Sequence, residues 1–149
     1  ATTRAPRPNE QRNRSYFFVS QETFLEMVAK NELLEYDQHF ENYYGTPKKF
    51  VLDMLRFGKD VILEIEVNGA LQVKQNYPDS ILFFIEAPSE QAIYERLKKR
   101  GTESEEKIQI RMARNKLELA QRHKYDYCIM NDDVDRAVAE IIDILKTRR

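Results

Sequence analysis

Apolar positions along the chain follow a helical period in some stretches and a strand period in others. Phe24, Met27 and Val28 form a stripe behind Ser20, whose hydroxyl suits a helix N-cap, and predict a helix running to about Lys30. Phe50, Val51, Met54 and Leu55 predict the inward face of a second helix. It starts at Thr46-Pro47, with Pro47 as the first helical residue, and ends at Gly58. Val61, Leu63, Ile65 and Val67 sit at alternate positions, predicting a strand whose other face carries Glu64 and Glu66. The unbroken apolar run Ile81–Ile85 predicts a strand buried on both faces. Tyr16–Val19 and Tyr125–Met130 read as further strands.

Ser89 opens a helix that ends near Gly101. Thr102-Glu103-Ser104-Glu105 reads as a capping box at the head of a long basic helix reaching about His123, and Val134–Leu145 as an amphipathic closing helix. Strands alternating with helices from residue 61 onward predict an α/β domain with a parallel sheet, and the first sixty residues a small α+β insertion.

Composition narrows the function classes. The chain has 149 residues, 42% hydrophobic and 33% charged, which suits one folded domain and excludes low-complexity classes. A formal net charge of −1 gives no global signal for nucleic acid. A lone cysteine, Cys128, allows no internal disulfide and points to a reducing, cytoplasmic setting; with only His39 and His123 beside it, a His/Cys metal site is excluded. Glycines occur only at 45, 58, 69 and 101, so neither the P-loop spacing nor the dinucleotide fingerprint is present. Charge is segregated: residues 1–20 hold four Arg against one Glu, residues 31–46 hold four acids and no Lys or Arg, and residues 96–124 hold ten Lys or Arg against four Glu. Such blocks form solvated faces, and they also suit a ligand with anionic ends and a donor-rich base.

Four groups carry candidate chemistry. Arg4 and Arg7 lie on a segment stiffened by Pro6 and Pro8, and their planar donor forks suit phosphate, with Tyr16 and Tyr44 as hydroxyl donors to the same anion. Glu35 offers two parallel acceptors, which match the N1–H and 2-amino donors of guanine, and the Thr46 hydroxyl suits O6. Glu64 and Glu66 end the predicted strand 61–67, where parallel sheets bind ligands. Arg96, Arg100, Arg111 and Arg114 occupy one-turn spacings on two helices joined at Gly101, as a mobile arginine lid over a phosphoryl group would. Each group also has a plain reading as solvated surface.

Taken in order, these stretches resemble the guanylate kinases, most closely the bacterial enzymes. The likeness rests on Thr2-Thr3-Arg4-Ala5-Pro6-Arg7, Tyr16–Ser20, Asn42-Tyr43-Tyr44-Gly45-Thr46-Pro47, Leu63–Gly69, Arg100-Gly101-Thr102-Glu103 and Asn131-Asp132-Asp133. The resemblance implies a P-loop kinase-like α/β parallel sheet core with a GMP-binding insertion and a helical lid. It implies ATP-dependent conversion of GMP to GDP with Mg²⁺, GMP and ATP as small-molecule partners, and neither nucleic acid nor membrane. Arg4, Arg7, Tyr16 and Tyr44 then stand as the phosphate clamp, and Glu35, Thr46 and Glu66 as the guanine readers. Glu64 stands as the acid near phosphates and metal, Arg96, Arg100 and Arg111 as catalytic arginines, and Asn131 as the adenine-side contact.

The resemblance also divides the chain into residues 1–59 for GMP, 60–88 and 121–149 for the core, and 89–120 for the lid. The family's P-loop would lie upstream of Ala1, so the 149 residues alone are expected to be inactive, to leave Val61–Val67 without a strand partner and to self-associate. Asn9, Asn13, Ser15, Glu66 and Asn68 depart from the family's usual residues. A non-enzymatic guanylate-kinase-like module binding phosphorylated peptides is the alternative; such modules often lose the lid arginines and strand acids that this chain keeps. A nucleic-acid binder using residues 96–124 is a third class, without a matching motif.

Overall fold

The computed structural model describes residues 1–8, 10, 16–39, 41–100 and 104–148. They form two compact units that meet in sequence at Ser80 and Ile81.

In the first unit, helix α1 (Gln21–Ala29) is capped by Ser20, whose hydroxyl accepts from the Thr23 N–H at 3.1 Å. It ends in a Schellman motif: Asn31 takes φ 54°, Glu32 N–H donates to Met27 O at 2.9 Å and Asn31 N–H to Val28 O at 3.0 Å. The chain then forms an antiparallel hairpin of β1 (Leu33–His39) and β2 (Asn42–Pro47). Helix α2 (Lys48–Arg56) follows directly. Pro47 is therefore the cap residue and the last residue of β2, one position earlier than its predicted place inside the helix. Gly58, at φ +70°, closes α2 with a second Schellman pair, in which Lys59 N–H donates to Met54 O at 3.0 Å. Of the predicted inward residues of α2, Val51 is buried, whereas Phe50 and Leu55 are exposed.

Two apolar clusters hold this unit. Phe24, fully buried, packs with Leu33 and stacks on Tyr43 at 5.3 Å between ring centroids. Leu34, Val51 and Val73 form the other, joined by Val61, Leu63, Ile65 and Tyr77. Leu33 and Leu34, adjacent on β1, point to opposite faces and serve different clusters, with a register shift between Leu33 and Glu35. Residues 61–66 show the alternation expected of a strand, odd positions packed and even positions exposed, yet they make no ladder among the described residues. Ile62 is 91% exposed. Val67 belongs instead to α3 (Val67–Asn76), which the sequence reading leaves unassigned. Tyr16–Val19 forms no strand either: Thr2 bridges singly to Phe18 and to Tyr44.

In the second unit, β3 (Phe83–Glu86) and β4 (Tyr127–Met130) pair in parallel, Phe83 opposite Tyr127 and Glu86 opposite Met130. The described parallel sheet is thus two-stranded. Leu82 and Phe84 are buried but Ile85 is 49% exposed, so the run 81–85 is covered on one face here, not both. Helix α4 (Glu90–Arg100) packs along α5 (Glu105–Leu119). Ser104 caps α5 by accepting from Lys107 N–H, so the helix begins two residues later than the predicted box, and Thr102 and Glu103 lie outside the described residues. A single 3₁₀ turn, Arg122–Lys124, separates α5 from β4, so the long helix stops short of His123. Helix α6 (Val134–Thr147) starts on the Asp133 side chain, which accepts from Arg136 N–H at 2.9 Å. Among the described residues no helix is long and apolar enough to cross a membrane.

Candidate functional site

The arginine arm is fastened to β2 by two threonines. Thr2, fully buried, donates its hydroxyl to Tyr43 O at 2.9 Å and accepts from Arg4 N–H at 3.2 Å. Thr3 N–H donates to Tyr43 O at 3.1 Å, and the Thr3 hydroxyl accepts from Tyr43 N–H at 2.9 Å. These three bonds to Tyr43 set Arg4 beside Tyr44. Its guanidinium lies 5.6 Å from the ring centroid of Tyr16 and 5.9 Å from that of Phe18. The Tyr16 and Tyr44 rings stand edge to face at 6.3 Å. Arg4, Tyr16 and Tyr44 are therefore brought together, with Arg7 exposed on the same arm.

Glu10 sits inside this cluster. Its carboxylate takes Arg4 Nη2 at 2.9 Å and Nη1 at 3.0 Å, and the Arg7 N–H at 2.8 Å. The hydrogen bond from Arg4, and then that from the Arg7 backbone, pulls the Glu10 carboxyl down to about 2. The same pairing raises Arg4 above its ordinary value. In the sequence Glu10 shows only as a charge; its place three residues after Arg7, across Pro8, is the signal for a turn closed by a side chain.

Glu35 and Thr46 face each other across the hairpin as ladder partners. The Thr46 hydroxyl donates to Glu35 Oε1 at 2.6 Å. Glu35 is only 5% exposed, and burial pushes its carboxyl above the ordinary glutamate value, with the Thr46 hydrogen bond opposing. The first turn of α3 runs beside it: a Cβ on Gly69 would stand 2.4 Å from Glu35 Oε2. Gly69 is a second residue whose part in the site the sequence alone does not show, because the close approach to Glu35 is made only by the fold. Glu66 caps α3 one turn before Gly69, which puts it on the element that abuts Glu35. Glu64 is exposed in the extended stretch before it.

In the second unit, Arg96 donates through Nη2 to Asn131 O at 2.8 Å, and Asn131 N–H donates to Glu86 O at 2.7 Å. Arg96 and Asn131 thus meet at the carboxyl ends of the parallel pair, the customary ligand edge of such sheets. Arg111 is exposed on α5, and Arg114 reaches Glu118 at 2.9 Å. Arg100 ends α4, and its side chain lies outside the described residues, as do Asn9, Asn13, Ser15 and Gly101.

A cationic arm with aromatic hydroxyls and, on the hairpin to which it is fastened, a buried acid–hydroxyl pair have chemistry that suits an anionic ligand with a donor-rich edge. The sequence model of the guanylate kinase family matches residues 1–148. A guanylate kinase of Caldanaerobacter subterraneus subsp. tengcongensis is 48% identical over 145 residues, 97% of this chain and 70% of that protein. A guanylate kinase of Clostridium tetani is 45% identical over 149 residues, 100% of this chain and 72% of that protein. The crystal structure of guanylate kinase from Anaplasma phagocytophilum superposes with a TM-score of 0.79 at 30% identity, covering 99% of this chain and 72% of that one. The chain belongs to the guanylate kinase family.

Proposed function

We propose that this chain carries the GMP site of an enzyme that moves the terminal phosphoryl group of ATP onto GMP, giving GDP and ADP. The buried Glu35–Thr46 pair carries this reading. A carboxylate at 5% exposure is costly to keep, and a ligand that donates twice to it repays that cost. Guanine does so through N1–H and its 2-amino group, and takes the place of the Thr46 hydroxyl on Glu35 as that hydroxyl turns its hydrogen to O6. Adenine has no N1–H and leaves the acid unsatisfied. A phosphopeptide module would use the arginine arm but has no role for this pair, so the enzyme reading is favoured.

Arg4, Arg7, Tyr16 and Tyr44 hold the GMP phosphate in this reading, and Glu66 supports Glu35 on the base. Arg96, Arg100 and Arg111 stabilise charge on the phosphoryl group in flight, and Asn131 lies on the adenine side. Residues 1–59 serve GMP, 89–120 act as lid, and 60–88 with 121–149 form the core.

Among the described residues no three His, Cys, Asp or Glu side chains gather as a metal cage. Mg²⁺ needs less, one or two carboxylates with phosphate oxygens and water, and exposed Glu64 suits that role. When bound, the ion supplies neutralisation of phosphate charge. Residues 1–149 contain no P-loop motif, so none of them is assigned to cradling the ATP phosphates, and the 149 residues alone are expected to bind GMP without turning it over.

Calorimetry tests the base reading. Glu35→Gln puts an amide donor against a guanine donor and should weaken GMP by about 2–3 kcal/mol. Unchanged GMP affinity in this variant overturns it.

A further inference from the structure

One carboxylate ties together both arginines of the anion arm. Glu10 Oε1 accepts from Arg4 Nη2 at 2.9 Å; Oε2 accepts from Arg4 Nη1 at 3.0 Å and from the Arg7 N–H at 2.8 Å. Glu10 N–H in turn donates to Arg7 O at 3.0 Å, closing the turn across Pro8. The two side chains are each 18% exposed, so this is a largely covered pair and not a loose surface contact.

The geometry of the guanidinium decides what Glu10 leaves available. An arginine has five N–H groups in a planar frame, arranged as an end fork between its two terminal nitrogens and a side fork between Nε and Nη2. Glu10 takes the end fork. Ala5 O takes the remaining hydrogen of Nη1 at 2.8 Å. Tyr44 also hydrogen-bonds the guanidinium; the side fork, which neither Glu10 nor Ala5 O occupies, has a spacing as well matched to two phosphate oxygens as the end fork's is to a carboxylate. Tyr16 and Phe18 flank the guanidinium, and Tyr44 lies close enough to raise its pKa. The rings and the carboxylate together remove the freedom a long side chain would otherwise lose on binding.

We propose that Glu10 is a positioning residue for the substrate phosphate: it holds the end fork of Arg4 and the Arg7 turn, and so presents the side fork of Arg4 to the phosphate beside Tyr16 and Tyr44. This rests on the assignment of Arg4 to the phosphate clamp. Glu10 is no stand-in for substrate to be displaced, because it occupies the end fork and not the side fork, and is itself fixed by the Arg7 backbone. With the Glu10 carboxyl held near 2, the pairing persists through the neutral range.

The experiment compares Glu10→Gln, Arg4→Ala and the double variant of the intact protein, with GMP and guanosine titrated by calorimetry and GMP varied in steady-state kinetics. Glu10→Gln should raise the GMP Kd and KM about tenfold, the loss of roughly one charge-assisted hydrogen bond, with kcat changed less than about twofold. Guanosine, lacking the phosphate, should bind with unchanged affinity, and the Glu10→Gln effect should vanish in the Arg4→Ala background. Glu10→Gln that leaves GMP affinity unchanged or tightens it, while Arg4→Ala weakens it, overturns the positioning role and leaves the clamp standing. Arg4→Ala with unchanged GMP affinity overturns the clamp itself. Equal losses for GMP and guanosine, or additive losses in the double variant, make Glu10 a structural residue only and also overturn the proposal. If Glu10→Gln fails to fold, Glu10→Asp carries the same comparison with a shorter reach and an intermediate loss.

Discussion

Gly69→Ala separates the guanine reading from general packing. The glycine's φ lies outside the left-handed region, so alanine meets no backbone strain there, and its place in the first turn of α3 gains up to about 1 kcal/mol of helix propensity. The added methyl would stand 2.4 Å from Glu35 Oε2, 3.1 Å from Cδ and 3.5 Å from Cγ. Ordinary contact requires a retreat of the carboxylate by roughly 1 Å. Glu35 cannot make that move and keep its 2.6 Å hydrogen bond from Thr46. Crowding of this kind costs about 1–3 kcal/mol, so the propensity gain offsets much of it and the melting temperature should change by only a few degrees. GMP binding should suffer more, because both base donors lose their partner together: about 2–3 kcal/mol, or roughly 30–150-fold in Kd. Inosine monophosphate keeps N1–H but lacks the 2-amino group, so the variant should also shrink the preference for GMP over it. Calorimetry with both nucleotides beside a thermal melt reads all three quantities. Unchanged GMP affinity with an unchanged GMP-to-inosine-monophosphate ratio would refute the role given to Glu35 and Gly69.

Burial raises the Glu35 carboxyl, so its ionised form is disfavoured on folding. Its contribution to stability is therefore greatest below the unfolded value of 4.5 and is lost as pH rises through the higher folded value, whereas GMP binding needs the ionised acceptor and weakens as pH falls through that value. A guanosine affinity profile from pH 4 to 8, free of the phosphate's own titration, with a midpoint above about 4.5 that is abolished in Glu35→Gln, checks this; a profile flat down to the ordinary glutamate range contradicts it. In the intact protein, Arg111→Ala should lower kcat by about 10³-fold with little change in GMP Kd, since an arginine serving the phosphoryl group acts chiefly in the transition state; full turnover in rapid-quench assays would reduce Arg111 to surface charge.

The chain by itself determined the local elements whose stop signals are short-range. Ser20, Asp133 and Gly58 cap or close helices through bonds within a few residues, so their spacing suffices. The alternation of Val61, Leu63 and Ile65 correctly marked which side chains pack, but a strand also needs a partner, and periodicity carries no information about one. Likewise Ile85 matched its buried neighbours in hydropathy yet lies half exposed, because coverage depends on what stacks against the sheet. Among the site residues, Arg4, Tyr16, Tyr44, Glu35 and Thr46 were legible as residue types that suit a phosphate and a base. Only the tertiary structure decided their pairing: the hairpin register sets Thr46 opposite Glu35, and the approach of α3 makes Gly69 the floor of that acid. Glu10 shows the same division. Its charge was visible from the start, but the fork it occupies on Arg4 depends on a turn and two aromatic rings contributed by separate parts of the chain.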